Sequence, residues 1–352
     1  MIYFLVAFFL GLGFTFLVKK VAIKLAIFDY PDKDRKLHKN PIPLLGGTAI
    51  FLSFWAVVFY LYNFSGLVLK HFNTRQLWLI FFAGLILMIV GYYDDKLRLN
   101  YHWRLLFSVI AVLLVLAGGL SFDGITNPLG GTIGLDFLKI NSSLFGTILV
   151  GANIVAFLWL LGMMYTTKIL DGLDGLSTGV CAIGAFAISA LASGATKFYQ
   201  PDVSLVALVL GGSCLGFLFF NFYPAKIFLG EGGGQFLGLM LGTLAIIAGS
   251  KIATALLVMA VPIVDLVWVI LARLFGGQSI AQGDRRHLHF RLVDAGLRQW
   301  QAVLIFYGLS ALFGFSALFM KSGFKLIALV ILVLVVVFLE IYISKRLSYV
   351  KK

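Results

Sequence analysis

The sequence predicts an all-α integral membrane protein of about eleven transmembrane helices, with its N-terminus outside and its C-terminus in the cytoplasm. Three observations predict it. The 352 residues are 61% apolar and only 12% charged, where a soluble domain is roughly one quarter charged. Eleven apolar stretches reach or approach the roughly 20 residues that cross a bilayer. Lys and Arg are distributed unevenly between alternate connections, which sets orientation.

The stretches run over about 2–18, 44–62, 77–91, 105–120, 144–162, 176–193, 203–219, 236–248, 252–271, 302–320 and 324–344. The first has no basic segment before it, and Lys19 and Lys20 follow it instead of a small-residue cleavage site, so it reads as a retained helix. If the 19–43 connection is cytoplasmic, so are 92–104, 163–175, 220–235, 272–301 and the C-terminus, and together these hold 21 of the 28 Lys and Arg. The net charge of +13 is thus explained by topology and an anionic membrane face. Nucleic acid is not an expected partner, because no basic segment stands outside the membrane frame. No connection is long enough to fold separately, so residues 1–352 form a single polytopic domain. Cys181 and Cys214 fall inside apolar stretches without metal-ligand spacing and read as small buried hydrophobes.

The acids carry more information. Ten of fifteen fall in the expected cytoplasmic segments: Asp29, Asp32, Asp34, Asp94, Asp95, Asp171, Asp174, Glu231, Asp284 and Asp294. Asp123, Asp136 and Asp202 lie on the other side, Asp265 within a span and Glu340 near the end of the last one. Orientation came from Lys and Arg alone, yet the acids gather on one face. Several adjoin apolar helix ends, where charge is costly unless it has a use. This favours a site facing the cytosol over loop charge that is merely solvated.

Five motifs stand on that face. Asp94-Asp95 follows the third stretch; adjacent carboxylates repel and suit a hard cation such as magnesium, though a bare acid pair is also an ordinary loop feature. DGLDG at 171–175 puts Asp171 and Asp174 three apart on one helix face; a turn is the plainer alternative, but two Asp-Gly pairs in tandem directly before a span make it insufficient. FNFYPAKIFLGEGGGQFLG at 220–238 sets Asn221 and Lys226 among aromatics and surrounds Glu231 with glycines. Those glycines offer backbone N–H groups to a phosphate, with Glu231 beside a bound cation; helix packing by small residues fits Gly238 and Gly242 better. DRRHLHFRL at 284–292 joins Arg285 and Arg286 to His287 and His289. It suits a diphosphate or a proton better than zinc, which would lack a third soft ligand; a plain basic loop does not explain the histidines. The 29–47 connection, with Arg35 and His38, serves a site or anionic headgroups about equally well. Together the parts suggest phosphoryl transfer, which needs positioning and charge neutralisation more than covalent help.

These motifs, in order from residue 29 to 292, resemble the polyprenyl-phosphate N-acetylhexosamine-1-phosphate transferase family, of the glycosyltransferase 4 type. The matching pieces are D-x-P with RKLHKNPIP-x-x-GG at 29–47, Asp94-Asp95, DGLDGL at 171–176, FN-x-x-PAKIFLG at 220–230, FLG at 236–238, PIVD with Arg273, and D-x-x-HLH at 284–289. The RKLHKNPIP form and the His-x-His ending resemble the GlcNAc-transferring branch. The resemblance implies eleven helices in the cell membrane and a cytoplasmic catalytic face. It implies attack by polyprenyl phosphate on the sugar-bearing phosphate of a UDP-sugar, releasing UMP at the first step of a cell-envelope glycan pathway. Asp94, Asp95, Asp171, Asp174, His287 and His289 would be catalytic, with one of Asp94 and Asp95 as base and the histidines on the diphosphate. Arg35, His38, Arg104, Lys168, Asn221, Lys226, Arg285 and Arg286 would bind substrate. Mg2+ would sit with Asp95, Asp171 and Glu231, and a homodimer is an open option.

Three positions depart from the family pattern. Lys168 stands where relatives carry Asn, Glu231 stands for Asp, and Phe290-Arg291 follow the His-x-His. A Lys168–Glu231 pair would replace part of a metal's charge, or Lys168 would hold a phosphate directly. The alternatives are a catalytically inactive relative and a lipid-linked substrate transporter or flippase. A transporter would place charge near the bilayer midplane, often in an inverted repeat; only Asp265 approaches this and no repeat is visible. A CDP-alcohol phosphotransferase would want Ala-Arg soon after the first Asp-Gly, which DGLDGLSTG lacks.

Overall fold

Apolar stretches without water must satisfy their own backbone groups, and helices are the way an unclosed chain does so. In the computed structural model the chain is described over residues 1–31, 37–67, 69–122, 124–126, 132–135, 139–142, 146–194, 199–249, 252–277, 285–320 and 322–350. Arg35, with Asp32, Asp34, Asp123, Asp136 and Asp284, lies outside the described residues.

The first half holds α1 (Ile2–Lys24), α2 (Gly46–Phe64), α3 (Thr74–Leu97), α4 (Tyr101–Ala117) and α5 (Val150–Leu170). The second holds α6 (Leu176–Ala192), α7 (Pro201–Asn221), α8 (Glu231–Ile247), α9 (Ile252–Val258), α10 (Ala260–Phe275), α11 (Leu288–Asp294), α12 (Gln299–Phe319) and α13 (Ser322–Val350). Seven are long and apolar enough to cross a membrane: α1, α2, α3, α5, α7, α12 and α13. The apolar helices α4, α6 and α8 are shorter, at 17 residues each.

Local chemistry sets the ends. Asn73 and Gln76 close a reciprocal box before α3, with Gln76 N–H donating to Asn73 Oδ1 at 2.7 Å and Asn73 N–H to Gln76 Oε1 at 3.1 Å. Asn100 caps α4 three residues after α3 stops. The expected 92–104 connection therefore shrinks to 98–100, and Asp94, Asp95 and Arg104 are helical. Pro201 opens α7, where its missing N–H costs nothing.

The all-helical expectation needs a small addition. Strands β1 (Phe28–Asp29) and β2 (Ile42–Pro43) pair antiparallel, as do β3 (Gly124–Thr126) with β4 (Thr132–Gly134) and β5 (Lys139–Ser142) with β6 (Gly146–Leu149). Thr147 and Ile148 belong to the β-branched class that favours strands, and β6 uses residues that hydropathy assigns to the fifth span. That span starts at Val150 instead of 144 and runs on to Leu170, carrying Lys168 into its last turn. The ninth stretch is interrupted at Met259, between α9 and α10. The 272–301 connection contains α11.

Helix α8 is the axis. Every residue after Glu231 is buried, from Gly232 to Ile247, as expected of a helix apolar all round. It packs against α2, α3, α5 and α6. Its first turn is the tightest point: a Cβ on Gly91 would stand 2.5 Å from the Cα of Gly232, and one on Gly47 would overlap Gly233. Gly232–Gly234 thus serve close helix packing, as small residues do in membranes, and not the phosphate cradle expected of them.

Candidate active site

The close fit around α8 brings separate helix ends together. Asp94 and Asp95 occupy the last turn of α3. Asp95 Oδ1 accepts the backbone N–H of Glu231 at 3.1 Å, so α3 caps the start of α8. Gly230 sits at φ 79°, and a Cβ there would lie 2.5 Å from Asp95 Oδ2, so glycine is required twice over. Asp94 Oδ2 lies 3.6 Å from Arg104 Nη1 of α4, while its buried Oδ1 has no partner among the described residues.

Glu231 pairs with Lys168 from the end of α5. Gln235 Nε2 also donates to Glu231 Oε1 at 3.0 Å, and Ser108 Oγ donates to Gln235 Oε1 at 2.7 Å. Thr167 Oγ1 donates to Gly234 O at 2.7 Å, and a Cβ on Gly234 would meet Lys168 Cα at 3.1 Å. The Lys168 backbone is thereby fixed against α8, and its ammonium lies 5.3 Å from the Tyr165 ring centroid.

Residues 171–175 form the turn between α5 and α6, so Asp171 and Asp174 do not share a helix face. Gly175 supplies the left-handed residue at φ 78°, and Tyr307 donates its hydroxyl to the Gly175 carbonyl at 2.6 Å. Asp174 Oδ2 accepts the Ala225 N–H at 2.9 Å. Burial, then the charges of Asp174, Glu231 and Asp29, push the Asp171 carboxyl up to about 7. Burial also raises Asp174, opposed by its Ala225 hydrogen bond and by His38. Asp95 is within electrostatic reach of Asp94, Asp171 and Glu231. Five carboxylates from α3, the 171–175 turn and α8 thus share one region.

The histidines reach the same turn from α11. Asp265 of α10 anchors them: His287 Nδ1 lies 3.1 Å from Asp265 Oδ2, and Leu288 N–H donates to Oδ1 at 2.9 Å. The His287 and His289 rings stack with centroids 5.7 Å apart and planes 6° off parallel. His289 is fully buried against Gly172, where a Cβ would overlap Nε2. Neither ring nitrogen has a partner among the described residues. Burial lowers its pKa to about 3, so the ring is neutral at ordinary pH. Arg291 pairs with the buried Glu340 of α13, tying α11 to the last helix.

The remaining expected residues divide. His38 lies 3.0 Å from Asp29 Oδ2 and packs its ring 5.3 Å from Phe228, at the rim of the site. Asn221 is buried, donating to Ile227 O at 3.0 Å and accepting from Thr178 Oγ1 at 3.2 Å, and so shapes the 222–230 loop. Arg285 pairs with Asp294 and lies over the Phe290 ring. Lys226 and Arg286 are exposed. Asp265, Gln235, Ser108 and Glu340 escaped the sequence reading as site residues. Asp265 and Glu340 carried a signal, since an acid within an apolar span has a use by default.

A magnesium site was expected at Asp95, Asp171 and Glu231. Their hard oxygens have the right chemistry, but the arrangement does not fit. Glu231 holds the Lys168 ammonium, and Asp95 accepts a backbone N–H. Among the described residues no three of His, Cys, Asp and Glu form a group that would hold a metal ion.

Residues 77–249 match the model of glycosyl transferase family 4. The chain is 31% identical over 333 residues, 93% of its length and 86% of the relative's, to the probable undecaprenyl-phosphate N-acetylglucosaminyl 1-phosphate transferase of Bacillus subtilis. It is 31% identical over 315 residues, 83% of its length and 76% of the relative's, to the decaprenyl-phosphate N-acetylglucosaminephosphotransferase of Mycobacterium leprae. It is 29% identical over 298 residues, 79% of its length and 84% of the relative's, to a phospho-N-acetylmuramoyl-pentapeptide-transferase of Listeria monocytogenes. Similarity that spans three quarters or more of each of these relatives, in a helical chain whose separate acidic motifs meet at one place, shows that this protein belongs to glycosyl transferase family 4.

Proposed function

We propose that the protein transfers a sugar-1-phosphate, of the N-acetylhexosamine class, from a UDP-sugar to polyprenyl phosphate, giving a polyprenyl-diphospho-sugar and UMP. The observation that carries this reading is the convergence of Asp94, Asp95, Asp171, Asp174 and Glu231 with Arg104, Lys168 and the His287–His289 pair at neighbouring helix ends. Relatives at 31% identity are named for this transfer to undecaprenyl and decaprenyl phosphate.

A lipid phosphate, with a second pKa of about 6, is largely a dianion at neutral pH and needs little help from a base. Its oxygen attacks the sugar-bearing phosphorus; the bond to the bridging oxygen breaks, and UMP leaves with the electron pair. Asp94 and Asp95 stand at the nucleophile's side, with Arg104 beside Asp94. His287, oriented by Asp265, and neutral His289 stacked beside it serve the diphosphate as a pair.

Eleven crossings follow if α9 and α10 together make one and α4, α6 and α8 are counted with the seven long helices. The uneven Lys and Arg support a plasma-membrane orientation in which this end of the bundle faces the cytoplasm. Purified protein given polyprenyl phosphate and a panel of UDP-sugars tests the proposal. UMP release with at least one UDP-HexNAc is expected. No turnover with any donor, from protein that unfolds cooperatively, would leave an inactive relative.

A further inference from the structure

We infer that Lys168 is the resident cation of this site and takes the place of a divalent metal in neutralising the diphosphate; this rests on the transfer reaction proposed above. The ammonium meets Glu231 inside a group of five acids, where a cation is most needed. It is built in, not a swinging surface charge. Thr167 Oγ1 bonds the Gly234 carbonyl, and Gly234 leaves room for the Lys168 backbone against α8. Gln235, braced by Ser108, donates to the same Glu231 oxygen that the ammonium meets. One oxygen of Glu231 and one of Asp95 are already engaged, and among the described residues no three donors gather for a metal. A permanent ammonium satisfies the same electrostatics, because phosphoryl transfer asks for charge beside the non-bridging oxygens and sets few demands on what carries it.

An ammonium has three N–H donors and no acceptor. One holds Glu231, and the others are available to the diphosphate as it enters. The balance needs nothing more: one P–O bond forms, one breaks, UMP takes the electron pair, and Lys168 keeps its protons throughout. Glu231 fixes the ammonium and is a positioning residue.

The test compares UMP release by the wild-type protein in excess EDTA and in magnesium, together with Mn2+ binding to the donor-free protein followed by electron paramagnetic resonance. Turnover in EDTA within about twofold of that in magnesium is expected, with no saturable Mn2+ binding at millimolar concentration. Lys168→Gln should lose about 10²- to 10³-fold in kcat, Lys168→Arg far less, with both variants melting cooperatively. Turnover abolished by EDTA and restored by magnesium, or stoichiometric Mn2+ binding, would overturn the role of Lys168 and leave the transferase reading standing. Absence of turnover in every condition would defeat that reading instead, and the Mn2+ titration would still decide what holds the charge here.

Discussion

Gly172→Ala isolates the contact between the acidic turn and the histidines. Gly172 does not need glycine's backbone freedom, since it is not among the residues with positive φ. The effect of a methyl there is therefore steric. Its Cβ would overlap His289 Nε2, lie 2.7 Å from Phe290 Cζ and lie 3.0 Å from His289 Cδ2. The imidazole cannot turn aside, because it is fully buried and flanked by His287 and Phe290. Either the turn or α11 must move. Overpacking of this kind costs about 1–3 kcal/mol, and a displacement near 1 Å at reacting groups costs about 10²-fold in rate. Gly162→Ala is the control: nothing lies within 4 Å of its Cβ, and Ala should gain roughly 0.5–1 kcal/mol within α5. Unfolding can be followed with a thiol-reactive fluorophore, since Cys181 and Cys214 are both buried until the bundle opens. The expected result is lower stability and about 100-fold slower UMP release for Gly172→Ala, with Gly162→Ala at or above wild type in both. A Gly172→Ala protein with wild-type melting and turnover would show that His289 does not rest on the turn.

Three further predictions follow from separate contacts. Glu340→Ala should cost about 3–5 kcal/mol by removing the carboxylate that pairs with Arg291, while Arg291→Met with Glu340→Leu should return close to wild type, because the buried pair is replaced together; melting curves of the single and double variants decide. Asp171 has its folded-state pKa raised from 3.8 to about 7, so its ionisation costs stability as pH rises between those values. Asp171→Asn should therefore melt higher than wild type, by a margin that grows from about pH 4 to 7, stays level above, and reaches at most about 4 kcal/mol; no pH dependence of the margin would refute this. Asp95→Asn keeps an oxygen for the Glu231 N–H and should fold, yet lose about 10²- to 10⁴-fold in turnover if Asp95 acts as base; unchanged kcat would remove it from the chemistry.

Much of the helical bundle was legible because the bilayer demands long apolar runs, and much of the site because acids are scarce in such a chain. What the residues concealed has physical causes. Hydropathy cannot tell an apolar strand from a helix, so Thr147 and Ile148 were counted in a span and not in β6. Periodicity put Asp171 and Asp174 on a helix face, where the two Asp-Gly pairs make a turn. Glycines around Glu231 looked like a phosphate cradle, but Gly232–Gly234 let three helices touch. The Lys168–Glu231 pair was readable only through the family pattern, since 63 residues separate its members. The Arg291–Glu340 contact had no pattern to announce it.

The central claim is that this pocket moves a phosphate together with its sugar. UDP-HexNAc labelled with phosphorus-32 in the phosphate next to the sugar tests it most directly, in purified protein with polyprenyl phosphate. The account predicts that the label passes to the lipid as unlabelled UMP is released, and that EDTA does not prevent it. Label left in water-soluble UDP while the sugar reaches the lipid would contradict it.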